Sequence, residues 1–325
     1  LAEYLEETGD PAGLDFKLHD FGFRGVSSVE TAGIGAAAHL VNFKGTDTLA
    51  GILMAQRYYR CDDMPGFSIP ASEHSTITSW GRENEDKAMA NMLAQYPTGL
   101  VACVSDSFDI YKACSDIWGD KLHMDIMKRD GTLVIRPDSG DPLEVLPRIM
   151  DILSERFGAT TNAKGFKVLN PKVRVIQGDG IDFETMPAIL EKLKRCGYSA
   201  DNIAFGSGGG LLQKLNRDTM KFAFKCSSVT VNGEEREVFK QPITDRVKNS
   251  KKGRLKLVNY RGTHGSAFIT VESNNPMFDK VDDCLQTVFE NGELLVDDNF
   301  TNIRDRAKHG MENAKYMQYE FNPLN

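Results

Sequence analysis

The stretch Thr132–Pro142, TLVIRPDSGDP, decides how the rest of the chain is read. Thr132, Leu133, Val134 and Ile135, each apolar or β-branched, form a run that passes directly into Arg136-Pro137-Asp138-Ser139-Gly140-Asp141-Pro142. An apolar run ending in a polar turn cluster is how a buried strand delivers reactive side chains to the rim of a sheet. Arg136 offers a planar five-donor fork for an amide, carboxylate or phosphate. Asp138 adds a carboxylate two residues on, and Gly140 permits tight backbone geometry. Asp141 before Pro142 reads as a helix start. Taken alone, the stretch can also be a structural Arg–Asp pair that closes a loop.

The same pattern recurs along the chain. Apolar runs at Leu14–Leu18, Leu40–Phe43, Phe67–Pro70, Leu100–Val104, 132–135, Val173–Ile176 and Ile203–Phe205 each end in a polar or glycine cluster. Helical pattern is expected over residues 1–8, 28–38, 49–59, 75–96, 109–118, 143–157 and 183–195. Residues 20, 47, 74, 106, 138, 179 and 207 mark the strand ends, 27 to 41 residues apart. That is close to the ~30 residues of one βα unit. Alternation of apolar strands with helices means a parallel sheet covered by helices. Seven units favour a barrel over an open sheet, and a barrel places its site at the C-terminal ends of the strands. The pattern breaks after Arg217. Phe222–Val231 and Val238–Lys240 flank the hairpin signal Asn232-Gly233, and Leu255–Tyr260 and Ala267–Val271 continue the β character. A second hairpin signal falls at Glu290–Glu293, and a helix is expected over 300–319. The division expected is a helix end and linker at 1–13, an α/β barrel at 14–216, a β-rich insertion at 217–260, and a segment returning to the barrel at 261–325.

Composition narrows the class of partner. The 325 residues carry a net charge of −7, and the one basic run, Lys251-Lys252-Gly253-Arg254, is short. That argues against duplex nucleic acid. The six cysteines are scattered with no C-x-x-C, which reads as reduced thiols in a cytoplasmic protein. No run approaches the ~20 apolar residues that span a bilayer, and no signal peptide is visible. The chain opens at Leu1, without Met, inside the helical stretch LAEYLEETG. An N-terminal segment that is cleaved, separately encoded or otherwise missing is therefore expected.

Asp20, Asp47, Asp106, Asp138 and Asp179 follow five different strands. Carboxylates on one rim suit Mg²⁺ and sugar hydroxyls, although acidic residues also cap helices. Gly206-Ser207-Gly208-Gly209-Gly210 is a turn that can offer backbone N–H groups to a phosphate at the seventh strand, and Gly178-Asp179-Gly180 is a second glycine turn. His74 could be a general base, a nucleophile toward a phosphoryl group or a structural histidine. His19 reads as structural. Phe21 could stack on a planar ring or pack in the core. Arg24, Arg217, Lys225 and Lys240 are candidate phosphate contacts; the last two lie in the β insertion and need that piece, or another subunit's copy, to reach the site.

The motifs KLHDFGFRGVSS (17–28), NFKGTDT (42–48), ASEHSTITSWG (71–81), VSDSFDIY (104–111), VIRPDSGDP (134–142), VIQGDG (175–180), IAFGSGGGLLQKLNRD (203–218) and FKCSS (224–228) resemble the nicotinamide phosphoribosyltransferase family, with its type II phosphoribosyltransferase fold. The resemblance implies an irregular seven-stranded parallel α/β barrel with a smaller β-rich piece. It implies phosphoribosyl transfer from phosphoribosyl pyrophosphate to nicotinamide, giving nicotinamide mononucleotide and pyrophosphate with Mg²⁺, stimulated by ATP through a phosphohistidine. It also implies a homodimer with sites at the interface. Residue by residue, Phe21 would stack on the base, Asp47 accept from its carboxamide and Arg136 donate to the amide oxygen. Asp138 and Asp179, with Gly178 beside them, would hold ribose hydroxyls or the Mg²⁺–pyrophosphate, with Asp138 the candidate metal ligand and Asp106 in support. Arg24, Gly208 and Gly209 would hold the 5′-phosphate, His74 would be the phosphorylated residue, and Arg217, Lys225 and Lys240 would contact phosphates across the dimer. The family has a long N-terminal region that is missing here. It supplies an aromatic that stacks on the base from the partner subunit, so this chain alone is not expected to suffice. Ala102 and Ala223 fall where hydroxyl-bearing residues are expected. A nicotinate-specific relative and a non-catalytic binding or signalling fragment are the alternatives. Asp47 argues against the first, because nicotinate offers it only acceptors.

Overall fold

Seven parallel stretches of chain form one hydrogen-bonded ring in the computed structural model, which describes residues 1–219, 223–262 and 265–314. Two units are distinct, Leu1–Leu215 and Asn216–Asn325. In the first, six strands pair in parallel: β1 (Leu18–Asp20), β2 (Gly45–Thr46), β3 (Thr98–Val104), β4 (Asp130–Arg136), β7 (Val173–Gln177) and β8 (Ile203–Ser207), in the order β2-β1-β8-β7-β4-β3. A small antiparallel hairpin, β5 (Ala159–Thr161) and β6 (Lys167–Leu169), lies between β4 and β7 in the chain.

The two outer strands are joined by residues 67–72. Phe67 bridges Gly45 of β2, and Ala71 bridges Ala102 of β3. The bonds are Phe67 N–H to Lys44 O at 2.7 Å, Thr46 N–H to Phe67 O at 2.9 Å, Ala102 N–H to Pro70 O at 2.8 Å and Ser72 N–H to Ala102 O at 3.0 Å. Pro70 has no N–H to give, so this seventh stave holds by isolated bridges instead of a ladder. The result is the expected irregular α/β barrel.

Four local expectations need correction. Leu40–Phe43 is the turn that ends the helix Val29–His39, and the strand starts at Gly45, whose carbonyl is 2.8 Å from His39 Nε2. Leu14 lies in a 3-10 turn, Pro11–Phe16, so β1 starts at Leu18. The helix expected over 75–96 breaks into His74–Thr78 and Glu85–Gln95, because Gly81 adopts φ +81° between them. The helix expected over 109–118 is wound from residue 113 to 121 as a π-helix, Ala113–Lys121.

The outward side chains of the strands meet the helices. Val101, Cys103, Leu133, Ile135, Val173, Val175, Ile203 and Phe205 are buried against Leu146, Ile149, Leu153, Ile189 and Leu193. The helix Pro142–Phe157 shows why: Asp141 accepts from Leu143 N–H at 2.9 Å, Pro142 opens the first turn, and buried residues recur at helical spacing. Each such aliphatic side chain contributes roughly 1.5–3 kcal/mol by burial. The inward residues Ala102, Val134, Ile176 and Ala204 pack with Phe21 and Ile69. Alternation along each strand sends one set to the helices and the other to the barrel axis.

The second unit holds three hairpins: β9 (Ser228–Val231) with β10 (Glu234–Glu237), β11 (Leu255–Gly262) with β12 (Gly265–Glu272), and β13 (Phe289–Glu290) with β14 (Glu293–Leu294). Asn232-Gly233 and Asn291-Gly292 both take positive φ, as a two-residue primed turn requires. The first strand starts later than expected, and Phe222, its expected start, lies outside the described residues. Val238–Lys240 forms no strand; the hairpin partner of Ser228–Val231 is Glu234–Glu237. The last helix runs Phe300–Ala314, and residues 315–319 of its expected span lie outside the described residues. Among the described residues no helix is long and apolar enough to cross a membrane.

Candidate active site

A cavity of about 330 Å³ opens where the strands of the barrel end, with Phe21, Arg24, Asp47, Ser68, Ala102 and Arg136 in its wall. Phe21 follows β1 and is fixed by its N–H to Ser207 O at 2.9 Å. Its ring lies over Gly206: a Cβ there would be 1.9 Å from Phe21 Cε2. Gly206 is therefore the floor that lets Phe21 lie inside the barrel mouth. Gly178 borders both Phe21 and Asp138, with its notional Cβ 3.4 Å from Phe21 Cε2 and 3.6 Å from Asp138 Oδ1. Gly208 borders the Phe21 carbonyl.

Arg136 ends β4 on the same wall. Its guanidinium carbon is 5.9 Å from the Phe21 ring centroid, one terminal nitrogen is 3.0 Å from Asp138 Oδ2, and its buried Nε–H has no hydrogen-bond partner. A buried donor left unpaired costs about 1–3 kcal/mol, and an acceptor on a bound ligand would satisfy it. Asp47 follows β2, with its N–H on Asp20 O at 2.9 Å, and its carboxylate accepts a hydrogen bond from the Ser68 hydroxyl.

A second group adjoins the first. Asp106, after β3, has its side chain only 4% exposed, and it gathers three donors. These are Asp138 N–H at 3.1 Å, the Ser139 hydroxyl, and His74 Nε2 at 3.0 Å. His74 opens the helix His74–Thr78 with its side chain 43% exposed, and its Nδ1 is 3.9 Å from Asp138 Oδ2. If Nε2 carries the proton donated to Asp106, Nδ1 keeps its lone pair. His74, Asp106, Asp138 and Arg136 thus form one continuous polar chain across three strand ends.

The remaining candidates separate. Asp179 is exposed in the turn after β7, with Gly180 at φ +68°. Arg24 is exposed on the cavity rim. Gly209 begins a short turn of helix, Gly209–Leu212. Arg217, Lys225 and Lys240 are exposed on the second unit. Asp20 differs from the other strand-end aspartates. It is fully buried, and its Oδ1 accepts Gly22 N–H at 2.8 Å. Burial pushes its carboxyl up, against the pull of that N–H. Burial likewise pushes His19 and His39 below the ordinary histidine value, which keeps both rings neutral beside the rim.

Sequence reading missed Ser68 and Ser139, and it took Gly206 only as part of a phosphate-binding turn, not as the floor under Phe21. Ser139 lies inside the opening motif, where a hydroxyl next to a rim aspartate could have been flagged. Ser68 is 21 residues from Asp47, and no local spacing connects them.

An aromatic, a guanidinium, several carboxylates and glycine turns on the strand-end rim define a parallel α/β barrel suited to a small planar polar ligand beside an anion. The chain belongs to the nicotinate phosphoribosyltransferase (NAPRTase) family, which it matches over residues 16–293. A nicotinamide phosphoribosyltransferase of Xanthomonas campestris pv. campestris (strain 8004) is 52% identical over 309 residues, covering 94% of this chain and 66% of that protein. One of Acinetobacter baylyi is 34% identical over 337 residues, covering 97% and 66%. One of Mycoplasma pneumoniae is 36% identical over 269 residues, covering 78% and 57%. The chain thus spans 66% of the length of the first two of these relatives.

Proposed function

We propose that this chain carries the site at which nicotinamide receives a phosphoribosyl group from phosphoribosyl pyrophosphate, giving nicotinamide mononucleotide and pyrophosphate for NAD salvage. The observation that carries this reading is the cavity shared by Phe21, Asp47 and Arg136, with an unpaired buried Nε–H on the arginine. A carboxamide has one donor group and one acceptor, and a carboxylate with a guanidinium reads both. Phe21 offers the stacking surface. The naming of the relatives as nicotinamide phosphoribosyltransferases supports the same substrate.

Asp138 and Asp179 are assigned to ribose hydroxyls and the pyrophosphate side, with Asp106 holding the Asp138 backbone in place. Arg24, Gly208 and Gly209 are assigned to the 5′-phosphate, and Arg217, Lys225 and Lys240 to phosphates in a homodimer. Asp138 is the candidate Mg²⁺ ligand through Oδ1, since Arg136 occupies Oδ2. Among the described residues no three His, Cys, Asp or Glu side chains form a metal cage. Mg²⁺ usually keeps waters and takes one or two carboxylates plus substrate phosphates. When bound, the ion would offset charge on the departing pyrophosphate.

The ring nitrogen of nicotinamide already has a lone pair, so no side chain must act as a strong base. The chain's own contribution is to position that nitrogen against the ribose and to surround the developing charges with fixed polar groups. His74, oriented by Asp106, is assigned as the acceptor of a phosphoryl group from ATP. A cytoplasmic location fits six scattered cysteines with no C-x-x-C spacing.

The test is turnover by the full-length protein with nicotinamide, phosphoribosyl pyrophosphate and Mg²⁺. Nicotinamide mononucleotide is expected, with nicotinamide preferred to nicotinate. Absence of product, or a higher kcat/KM for nicotinate, overturns the proposal.

A further inference from the structure

The closing stave of the barrel does more than complete the ring. The bonds between Phe67 and residues 44 and 46 fix its register against β2, and the next residue, Ser68, then stands beside Asp47. Both line the cavity. Asp47 is an exposed residue whose backbone is held by Asp20 O, yet among the described residues its carboxylate is held only by the Ser68 hydroxyl, on Oδ1. An aspartate otherwise turns readily about its last torsion, which is broad and two-fold.

We infer that Ser68 is a specificity-determining positioning residue: by donating to Oδ1 of Asp47 it fixes the carboxylate plane and leaves one oxygen, Oδ2, as the acceptor presented to the ligand's amide N–H. The inference rests on the assignment of Asp47 to the carboxamide. Its chemistry follows from the donor inventory. A carboxylate accepts and has no hydrogen to donate. An oriented Asp47 carboxylate therefore welcomes an amide N–H₂ and opposes a second carboxylate. The stave and the base-reading residue are thereby one device, and selectivity depends on how the barrel closes.

The experiment compares Ser68→Ala, Ser68→Thr and Asp47→Ala in the full-length protein, with nicotinamide, nicotinate and phosphoribosyl pyrophosphate each varied. Ser68→Ala should raise the KM for nicotinamide about tenfold, the loss expected for one hydrogen bond's worth of orientation. It should also narrow the kcat/KM preference for nicotinamide over nicotinate, while the KM for phosphoribosyl pyrophosphate and the melting temperature stay within twofold and about 2 °C. Ser68→Thr, which keeps the hydroxyl, should restore both the KM and the preference. A purely structural role would move both substrates and the melting temperature together, and that outcome overturns the inference. A response to Asp47→Ala with none to Ser68→Ala overturns the role of Ser68 alone. An Asp47→Ala variant that uses nicotinamide as well as the parent overturns the base-reading assignment beneath it.

Discussion

Asp106 and His74 form one hydrogen-bonded pair with opposite exposures, and their substitution should separate function from stability. Asp106 is almost fully covered and holds three donors at once, from His74, Ser139 and the Asp138 backbone. An Asn at this position turns one acceptor into a donor, so an N–H₂ faces existing N–H or O–H groups. Leaving such a group unsatisfied costs about 1–3 kcal/mol. Asp106→Asn should therefore lower the urea midpoint and also abolish labelling of the protein by ATP carrying a labelled γ-phosphate. His74, with a side chain nearly half exposed, carries little packing. His74→Ala should abolish the same labelling and the stimulation by ATP while keeping basal transfer and nearly all stability. Labelled protein surviving in His74→Ala would remove His74 from the phosphoryl acceptor role.

Phe21 depends on a glycine in β8, the strand that pairs with β1 although it is far from it in the sequence. An alanine at position 206 would drive its Cβ to 1.9 Å from the Phe21 ring, whereas at position 208 the nearest atom, the Phe21 carbonyl oxygen, is 3.5 Å away. Gly206→Ala should thus expel the ring and raise the KM for nicotinamide at least tenfold, with phosphoribosyl pyrophosphate affected less; Gly208→Ala should do the reverse. Equal effects of the two substitutions on both substrates would show that neither glycine has a private role. The strand ends themselves were legible, because an apolar run meeting a turn cluster is a local signal, and Arg136, Asp138 and Asp106 meet where that signal placed them. The stave at 67–72 was legible as a strand but not as a bridged closure, since hydrogen bonds to two neighbours leave no period in the sequence. Leu40–Phe43 misled for a related reason: a short run with three apolar residues fits the end of a helix as well as a strand. The pairing of Ser68 with Asp47 and of Gly206 with Phe21 was hidden, as each joins positions far apart in the chain.

Six thiols spread over both units allow the integrity of the barrel core to be read directly. Cys103 on β3 and Cys114 in the π-helix are fully buried, and burial pushes both thiols up to about 12. Cys196, Cys226 and Cys284 are exposed and Cys61 is partly so. Thiolate, not thiol, is the reactive species, and a buried thiol is in any case out of reach of a reagent. Labelling with a disulfide reagent near pH 8 should therefore show four reactive thiols, with two further thiols appearing only as the barrel unit opens. A ligand that binds the folded rim but not the opened chain stabilises the closed state by RT ln(1 + [L]/Kd), about 2.7 kcal/mol at 100 times Kd. When opening is fast relative to labelling, that corresponds to a roughly hundredfold slowing of the two protected thiols. Nicotinamide or phosphoribosyl pyrophosphate at such a concentration should slow these two selectively and leave Cys284, in the second unit, unchanged. Six thiols reacting in a single phase would mean that the barrel core is open in solution. Protection of Cys103 that ignores both ligands would mean that neither binds the folded barrel in preference to its opened form.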